Sequence, residues 1–409
     1  MGLNNLSLVD DWLSEESSMD RPTLEVVEDL ARRADNVLTH MRDQLVDAEF
    51  GKTLDVRYKA KDAAEMAGRS YQSIHRLRQA GEGPSPQTTH PNGRTAGYTL
   101  AEVNELRALF DTFPERAAHE EPVILSVQNF KGGVGKSTVS VHLAQYLAQK
   151  GYRVLLIDAD SQASATSMFG FNPDQDFEEG DTLLPVLIGD TDPDLTPMVR
   201  ATYWERLDMI PSCLALYNAE YLLAAKFAQD PTALNLLHTA ITDVASNYDV
   251  VIMDPPPALG MVSLSVTQAA NAVVVPTPPN TIDFSSTSSF LSMMTDVLNQ
   301  LPRTGRAPEY KFIRFILTKA DLNKGPQEAM RNTISAIYGD FALPTALLSS
   351  VEYDTAALTM RTLYEQTGPK SKAYQRARRN MDQVFSELEL VIRGTWPSHR
   401  RMLAEEGRV

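Results

Sequence analysis

The chain has 409 residues, of which 43% are hydrophobic and 22% are charged, with a formal net charge of −15 and a single cysteine, Cys213. That length suits two or three globular domains, and one cysteine excludes an intramolecular disulfide or a cysteine-built metal site. No apolar run reaches the roughly 18 residues of a membrane span, so we expect a cytoplasmic chain whose negative charge restricts DNA contact to local basic patches.

Residues 1–52 form an acidic segment, with 12 acidic and 5 basic side chains. Its apolar residues recur at alternating spacings of three and four, typical of a heptad seam: Leu24, Val27, Ala31, Ala34, Leu38, Met41 and Leu45. The spacing predicts a helix over residues 22–48 whose seam either pairs with a second copy of the chain or packs on its own domain. We favour a dimerisation helix, and expect no DNA contact from so acidic a segment.

The charge balance reverses in residues 53–99, which contain 7 basic and 4 acidic side chains. Residues 60–67 and 71–80 predict two short helices joined by a glycine turn, in which Ser70 is a favourable N-cap. This order is typical of a helix-turn-helix motif, whose second helix enters the DNA groove. The candidate DNA contacts on that helix are Ser70, Tyr71, Gln72, His75, Arg76 and Arg78.

Residues 89–97 predict a hairpin wing after the second helix, with Arg94 as a further DNA contact. A third helix begins near Leu100 and has apolar residues on one side. Prolines and charges then mark a linker. We therefore place an α-helical, winged helix-turn-helix DNA-binding domain at residues 53–112 and the linker at residues 113–122.

Residues 123–409 begin with a buried strand that leads into a glycine-rich run. The glycines let successive backbone N–H groups turn towards one anion, and the helix that follows directs its N-terminus at the phosphates. The motif implies that Lys136 adds a phosphate-binding cation, Ser137 a hydroxyl ligand for Mg²⁺, and Thr138 a contact to the α-phosphate. We predict a site for ATP and Mg²⁺ at Gly132, Gly133, Val134, Gly135, Lys136, Ser137 and Thr138.

Apolar strands alternate with helices through this domain, which predicts an α/β fold with a doubly wound, mostly parallel sheet. Polar residues follow three of the strands: Asp158 and Asp160, then Asp254, then Thr318 and Lys319. Because ligands collect at the carboxyl ends of parallel strands, these side chains are expected to share one crevice with the phosphate loop. An ordinary solvated turn is the alternative for the first two carboxylates.

The loop departs from the GxxxxGK[ST] pattern, with Phe130 at the first glycine position and a second lysine, Lys131. KGGVGKST resembles the deviant Walker A motif of the ParA/MinD ATPase family. DADSQ at residues 158–162 and DPPPALG at residues 254–260 resemble the family's D-x-D-P-Q and D-x-P-P-x-L-G, with Ser161 in place of a proline.

The runs AAEMAGRSYQSIHRLRQAG and GYTLAEVNELR resemble the winged helix-turn-helix that precedes the ATPase in long ParA proteins. Together with the ATPase motifs, they make the chain most similar to the RepA partition proteins of alphaproteobacterial plasmid replicons.

The resemblance implies a role for each matching residue. Lys136 and the loop backbone hold the β- and γ-phosphates, Asp160 positions the attacking water, and Asp158 assists on the Mg²⁺ side. Asp254 supports Mg²⁺ through water. Lys131 reaches across a nucleotide-sandwich dimer to the partner's ATP, which makes Lys131, Lys136 and Asp160 the expected catalytic set. By the same resemblance, Thr318 and Lys319 lie at the adenine.

Basic residues cluster near the C-terminus, and helical spacing would place several of them on one face, a footprint for DNA phosphates. A solvated charged face is the alternative. These residues are Lys370, Lys372, Arg376, Arg378 and Arg379. Arg361 lies in a segment that resembles the family's DNA-binding surface and joins the candidates.

By resemblance, the chain is a Mg²⁺-dependent ATPase that partitions plasmid or other replicon DNA. ATP would drive homodimerisation and non-specific binding to the nucleoid, and a ParB-type centromere-binding partner would stimulate slow hydrolysis and release the dimer. The N-terminal domain would bind an operator and repress its own operon. A nucleotide-regulated transcriptional repressor is the alternative. A MinD-like membrane protein is disfavoured because Gly394, Pro397 and Gly407 break the C-terminal helix that it needs.

Overall fold

The computed structural model describes residues 22–45, 52–86, 96–367, 370–405 and 407. These residues belong to two compact units, residues 1–51 and residues 52–409. Most of the predicted wing, including Arg94, and the last residues of the predicted dimerisation helix lie outside the described residues.

The first unit contains helix α1 (Thr23–Leu45), close to the range that the heptad spacing predicts. Asp29 accepts hydrogen bonds from Arg32 and Arg33, three and four residues further along the helix. Leu24 and Val27, the first two residues of the seam, are 68% and 56% exposed. The seam is therefore open to solvent at this end, and its pairing with a second copy stays a prediction.

The second unit begins with three helices, α2 (Ala60–Met66), α3 (Tyr71–Ala80) and α4 (Leu100–Phe110). Ser70 caps α3, as predicted, by accepting a hydrogen bond from the Ser73 N–H at 3.2 Å. Thr99 and Glu102 form a capping box at the start of α4.

The sheet contains β1 (Val123–Val127), β2 (Val154–Asp158), β3 (Arg200–Ala201), β4 (Leu207–Ile210), β5 (Val250–Asp254), β6 (Ala272–Thr277) and β7 (Phe312–Leu317). The helices that follow α4 are α5 (Lys136–Lys150), α6 (Ser164–Met168), α7 (Pro173–Asp176), α8 (Leu184–Ile188), α9 (Asn218–Gln229), α10 (Leu236–Ala245), α11 (Met261–Ala269), α12 (Thr281–Gln300), α13 (Gly325–Tyr338), α14 (Val351–Ala357), α15 (Lys372–Arg393) and α16 (Pro397–Glu405).

Within the described residues, the strands form one 7-stranded sheet in the order β3-β4-β2-β5-β1-β6-β7. Its pairs are parallel except β3 with β4. Strands β1, β2 and β5 are buried at every position, as a parallel sheet covered by helices on both faces requires. The mostly parallel α/β sheet predicted from the sequence is confirmed. It places β1 between β5 and β6, so the loop after β1 lies beside the carboxyl ends of both.

Helices α2 to α4 share one apolar cluster with β1, α5 and α15. Buried Arg107 of α4 makes three hydrogen bonds there, to the Met66 carbonyl at 3.1 Å, to Asn104 at 2.6 Å and to the Gln149 carbonyl at 2.8 Å. The segment predicted as a linker is also packed, since the Arg116 side chain donates to the Tyr248 carbonyl at 3.0 Å. Helices α2 to α4 are thus attached directly to α5, the helix that begins at the phosphate loop.

Candidate functional site

The phosphate loop connects the end of β1 to α5 at the carboxyl edge of the sheet. Gly133 and Gly135 have φ angles of 73° and 98°, in the left-handed region that residues with a Cβ avoid. A Cβ added at Gly132 or Gly133 would meet no atom within 4 Å. The loop therefore forms an open cradle of backbone that has room for phosphate oxygens.

Side chains that follow β1 and β7 hold this loop in place. The Thr318 hydroxyl, just after β7, donates to the Val134 carbonyl at 2.7 Å. Asn129 donates to the Pro276 carbonyl at 2.9 Å and accepts from the Lys131 N–H at 3.1 Å. Thr318 thus braces the phosphate loop. Lys319 beside it is exposed and has a positive φ of 53°.

Lys136 and Lys131 direct their ammonium groups to different places. Lys136 is 7% exposed, and its ammonium lies 3.5 Å from the Lys131 carbonyl oxygen. Burial lowers the pKa of Lys136, and the charges of Asp254 and Asp160 oppose that shift. Lys131 is about a third exposed and forms an ion pair with Asp283 in the first turn of α12. The two cations are therefore available for different partners.

Asp254, at the end of β5, faces the first turn of α5. It accepts a hydrogen bond from the Ser140 hydroxyl at 3.1 Å, and its Oδ2 is buried without a hydrogen-bond partner. Burial raises the pKa of Asp254, while the Ser137 hydroxyl and Lys136 oppose the shift. This unpartnered Asp254 oxygen fits a hydrogen bond from a water bound to Mg²⁺. The Ser137 hydroxyl would be a ligand of the same Mg²⁺.

No cluster of three or more His, Cys, Asp or Glu side chains that could bind a metal is found in the described parts of the chain. Mg²⁺ at nucleotide sites usually takes one or two protein oxygens, water and phosphate oxygens as ligands, and the Ser137 hydroxyl is the protein oxygen that the sequence predicts here.

Asp158 and Asp160 have different surroundings. Asp158 is fully buried, and its carboxylate accepts from the Thr166 N–H at 2.8 Å, the Thr166 hydroxyl at 2.7 Å and the Asp160 N–H at 3.2 Å. In the parallel register of β2 and β5, Asp158 lies beside Asp254. Asp160 is 8% exposed, with its carboxylate held by the Gln162 N–H at 3.0 Å. Asp158 therefore shapes the turn that presents Asp160.

Polar side chains of α5 connect the site to residues 361–365. His142 contacts the Thr138 carbonyl at 2.8 Å through Nδ1 and accepts from the Leu363 N–H at 3.2 Å through Nε2. Burial lowers the pKa of His142 to about 4, so the ring is neutral at pH 7 with its proton on Nδ1. One turn further on, Gln145 bonds Glu365 at 2.9 Å and Thr362 at 2.7 Å.

The N-terminal candidates for DNA contact share one exposed face of α3. Ile74 of this helix is buried and Leu77 half-buried, while Tyr71 and His75 stack with ring centroids 6.0 Å apart. The candidates on that exposed surface are Ser70, Tyr71, Gln72, His75, Arg76 and Arg78.

The C-terminal candidates separate into two groups. Lys370, Lys372, Arg376 and Arg379 are exposed, and the last three follow a spacing of four and three along α15, which places them on one face. Arg378 turns inward instead, where it bonds Asp382 at 3.1 Å and Gln149 at 2.7 Å. Arg361 is partly exposed and lies 3.4 Å from Asp55. Arg378 is therefore not among the exposed residues of α15 that are candidates for DNA contact.

Sequence reasoning missed Ser140, Thr166 and Asp283 as contributors to the site. Ser140 follows Lys136 by one helical turn, a spacing that could have indicated it. Asp283 is an acidic residue in the first turn of the helix after β6, a recognisable position. Thr166 carries no such signal, since only the fold brings it to Asp158.

Comparisons with known proteins agree with this geometry. An AAA domain family model matches residues 123–304. Protein SopA of Escherichia coli (strain K12) is 37% identical over 328 residues, which are 78% of this chain and 83% of SopA. The cell division protein PomZ of Myxococcus xanthus is 30% identical over 332 residues, which are 81% of this chain and 93% of PomZ.

A solved structure described as a partition protein has a TM-score of 0.64 at 21% identity, and the match covers 90% of this chain and 99% of that one. At that level of identity the likeness concerns the fold.

Asp158→Asn should remove part of the pH dependence of stability. Burial and the neighbouring Asp254 raise the pKa of the Asp158 carboxyl in the folded protein, so the native state holds a proton that the unfolded chain has released. Stability from this group is complete below the pKa of the unfolded carboxyl and is lost as the pH rises through the higher folded pKa. An amide cannot ionise, so the variant should gain about 1–3 kcal/mol relative to wild type from about pH 5 to pH 8.

Urea denaturation of the nucleotide-free protein at several pH values measures this difference, and the pH-independent cost of the lost acceptor cancels in it. Asp192→Asn, at an exposed carboxylate, is the control and should follow the wild type at each pH. A constant difference between Asp158→Asn and wild type across the range would contradict the raised pKa.

Proposed function

The chain belongs to the ParA-type family of partition ATPases, and we propose that it partitions the DNA of a plasmid or another replicon through Mg²⁺-dependent ATP hydrolysis. The observation that supports this proposal is that the two lysines of the loop differ in burial and in their partners. Lys136 is buried near Asp254, while Lys131 is partly exposed and paired with Asp283. A single phosphate site needs the first lysine only, so the second supports a role towards another subunit.

Phosphoryl transfer depends on positioning and charge neutralisation more than on covalent chemistry of the protein. Bound Mg²⁺ would neutralise charge on the β- and γ-phosphates. Lys136 and the loop N–H groups would hold those phosphates, Ser137 and the free oxygen of Asp254 would orient the metal-side ligands, and Asp160 would orient the attacking water. Asp158 would act through the turn that it shares with Thr166.

ATP would close two copies of the chain into a dimer, with Lys131 of each copy directed to the nucleotide of the other. The exposed first residues of the seam, Leu24 and Val27, support a further contact between copies, with residues 1–52 as a dimerisation segment. The dimer would present the exposed cations of α15 to DNA phosphates without sequence preference, since such contacts carry no base information. We propose an association with the nucleoid in the cytoplasm.

The effect of nucleotide binding would be transmitted to the DNA-binding face through α5. His142 contacts the backbone next to Ser137 at one end and the Leu363 N–H at the other, two residues from Arg361. A change in the first turn of α5 would thus be felt in the segment that carries Arg361. A ParB-type partner bound to a centromere would stimulate slow hydrolysis and release the dimer.

The helix-turn-helix at residues 53–112, followed by a linker at 113–122, would bind an operator and repress the protein's own operon. A capped α3 with an exposed polar face supports that role. It also favours the second candidate function, a repressor that nucleotide regulates.

Binding to a random-sequence duplex at fixed salt, with ATP, ADP or no nucleotide, tests the proposed function. Binding with ATP and Mg²⁺ should be at least about tenfold tighter than in the other two states. Lys136→Ala should bind as the nucleotide-free protein does, because it lacks the phosphate cation. Equal binding in all three states, with a footprint confined to an operator, would favour the repressor instead.

Asp160→Ala should trap an ATP-bound dimer on DNA, because the variant binds nucleotide but cannot position the attacking water. Size-exclusion chromatography with ATP and a phosphate-release assay measure the two effects. Asp192→Ala, at an exposed loop carboxylate, is the control and should hydrolyse ATP as the wild type does. A monomeric Asp160→Ala variant at saturating ATP would contradict the assignment.

Arg76→Ala should weaken binding to the operator, sought in DNA upstream of the coding sequence, by about 1–3 kcal/mol. It should spare ATP-dependent binding to random DNA. Arg376→Ala is the matched variant on the other face and should have the opposite pattern. Equal losses for both kinds of DNA in either variant would show that the two faces form one site.

A further inference from the structure

Three consecutive residues before the phosphate loop contact one face of α12. Positions separated by four and then three residues lie on the same side of a helix. The contacts are a hydrogen bond from Asn129 to the Thr287 hydroxyl at 3.3 Å, an edge-on ring contact of Phe130 with Phe290 at 4.8 Å between centroids, and the ion pair of Lys131 with Asp283. Helix α12 therefore positions the segment that carries the second lysine.

The three contacts differ in how easily water can replace them. Thr287 and Phe290 are buried, with exposed fractions of 0% and 2%. The side chains of Lys131 and Asp283 are 33% and 15% exposed. The inner two contacts thus fix the backbone, while the ion pair at the outer end is the one that can exchange.

The Asp283 carboxylate is held in place independently of Lys131. The Asn280 side-chain amide donates to its Oδ2 at 2.5 Å, and Asn280 also caps the helix by accepting from the Asp283 N–H at 3.0 Å. A negative charge in the first turn of a helix is stabilised by the helix dipole. The carboxylate would keep its position when the ammonium leaves.

We propose that Asp283 is a positioning residue that restrains Lys131 within its own subunit until the nucleotide of a second copy competes for the ammonium. This rests on the proposed function, in which Lys131 reaches the partner's phosphate. Pairing with Asp283 and extension towards another subunit are alternative states of one flexible side chain. Each dimer releases two such pairs, so Asp283 sets the concentration at which ATP closes the dimer.

Asp283→Asn tests the restraint, because the amide is of equal size, leaves the backbone cap to Asn280 intact and removes the charge. Sedimentation velocity with a non-hydrolysable ATP analogue should show dimerisation at about 5- to 20-fold lower protein concentration than for the wild type. The gain should shrink at high salt, since a partly exposed pair is screened. Asp296→Asn, at an exposed position on the same helix, is the control and should match the wild type.

The same substitution in a Lys131→Gln background separates the restraint from a structural effect. There, Asp283→Asn should leave the dimerisation concentration unchanged, because no ammonium remains to be released. An equal shift in that background would overturn the proposal, as would an unchanged or weaker dimer in Asp283→Asn alone. A wild type that stays monomeric with the analogue would remove the proposed function itself, whereas a wild type that dimerises as its Asp283→Asn variant does would remove only the restraint.

Discussion

The buried polar face of α5 connects the phosphate loop to the rest of the molecule. A buried polar group without a hydrogen-bond partner lowers folding stability by about 1–3 kcal/mol. Each such group therefore favours packing against a segment that supplies a partner. Along α5, His142 is hydrogen-bonded to the Leu363 N–H, and Gln145 to Glu365 and Thr362. Gln149 is hydrogen-bonded to Tyr58 and Arg378. The helix that starts at the phosphate loop is therefore also the helix on which the N-terminal and C-terminal segments are assembled.

The buried contacts of Glu365 join residues 361–365 to the start of the second unit. Burial by itself would raise the pKa of Glu365, but Lys52 and hydrogen bonds from Tyr203 and Trp204 outweigh it and lower the pKa. Lys52 and Glu365 lie 2.9 Å apart with side chains 9% and 4% exposed. Removing one member of such a pair leaves an uncompensated buried charge, at a cost of about 3–5 kcal/mol. The start of the second unit is thus fastened beside the segment that carries Arg361, which gives the candidate DNA-binding surfaces a common support.

The parallel strands and the phosphate loop could be predicted because their signals are local. Three or four apolar residues in a row, buried on both faces, indicate a central strand, and glycines before Lys136-Ser137 indicate the loop. The two-residue strand Arg200–Ala201 has no such signal, since it exists only through its antiparallel pairing with β4. The packing of residues 113–122 was equally hidden, because two acceptors of the Arg116 side chain, the carbonyls of Tyr248 and Ser246, lie more than a hundred residues away in the chain.

Side-chain direction was harder to predict than secondary structure. The sequence groups Arg378 with the other cations of α15 because they lie close together in the chain, yet this guanidinium lies 3.8 Å above the Tyr364 ring and bonds Gln149, because α15 packs against α5 along that side. The same limit applies to Asp158 and Asp160, which look alike in the sequence. The tertiary structure surrounds one with donors from Thr166 and leaves the other at the edge of the site.

The departure of the loop from the common phosphate-binding pattern has a physical reason in α12. A glycine at position 130 would have no ring to pack against Phe290, and the backbone before the cradle would lose its apolar anchor. Phe130 supplies that anchor at the cost of a flexible turn, and it directs the next residue outwards along the same helix to Asp283. Phe130 and Lys131 therefore act together: the aromatic ring fixes the backbone, and the fixed backbone directs the Lys131 ammonium to Asp283 on α12.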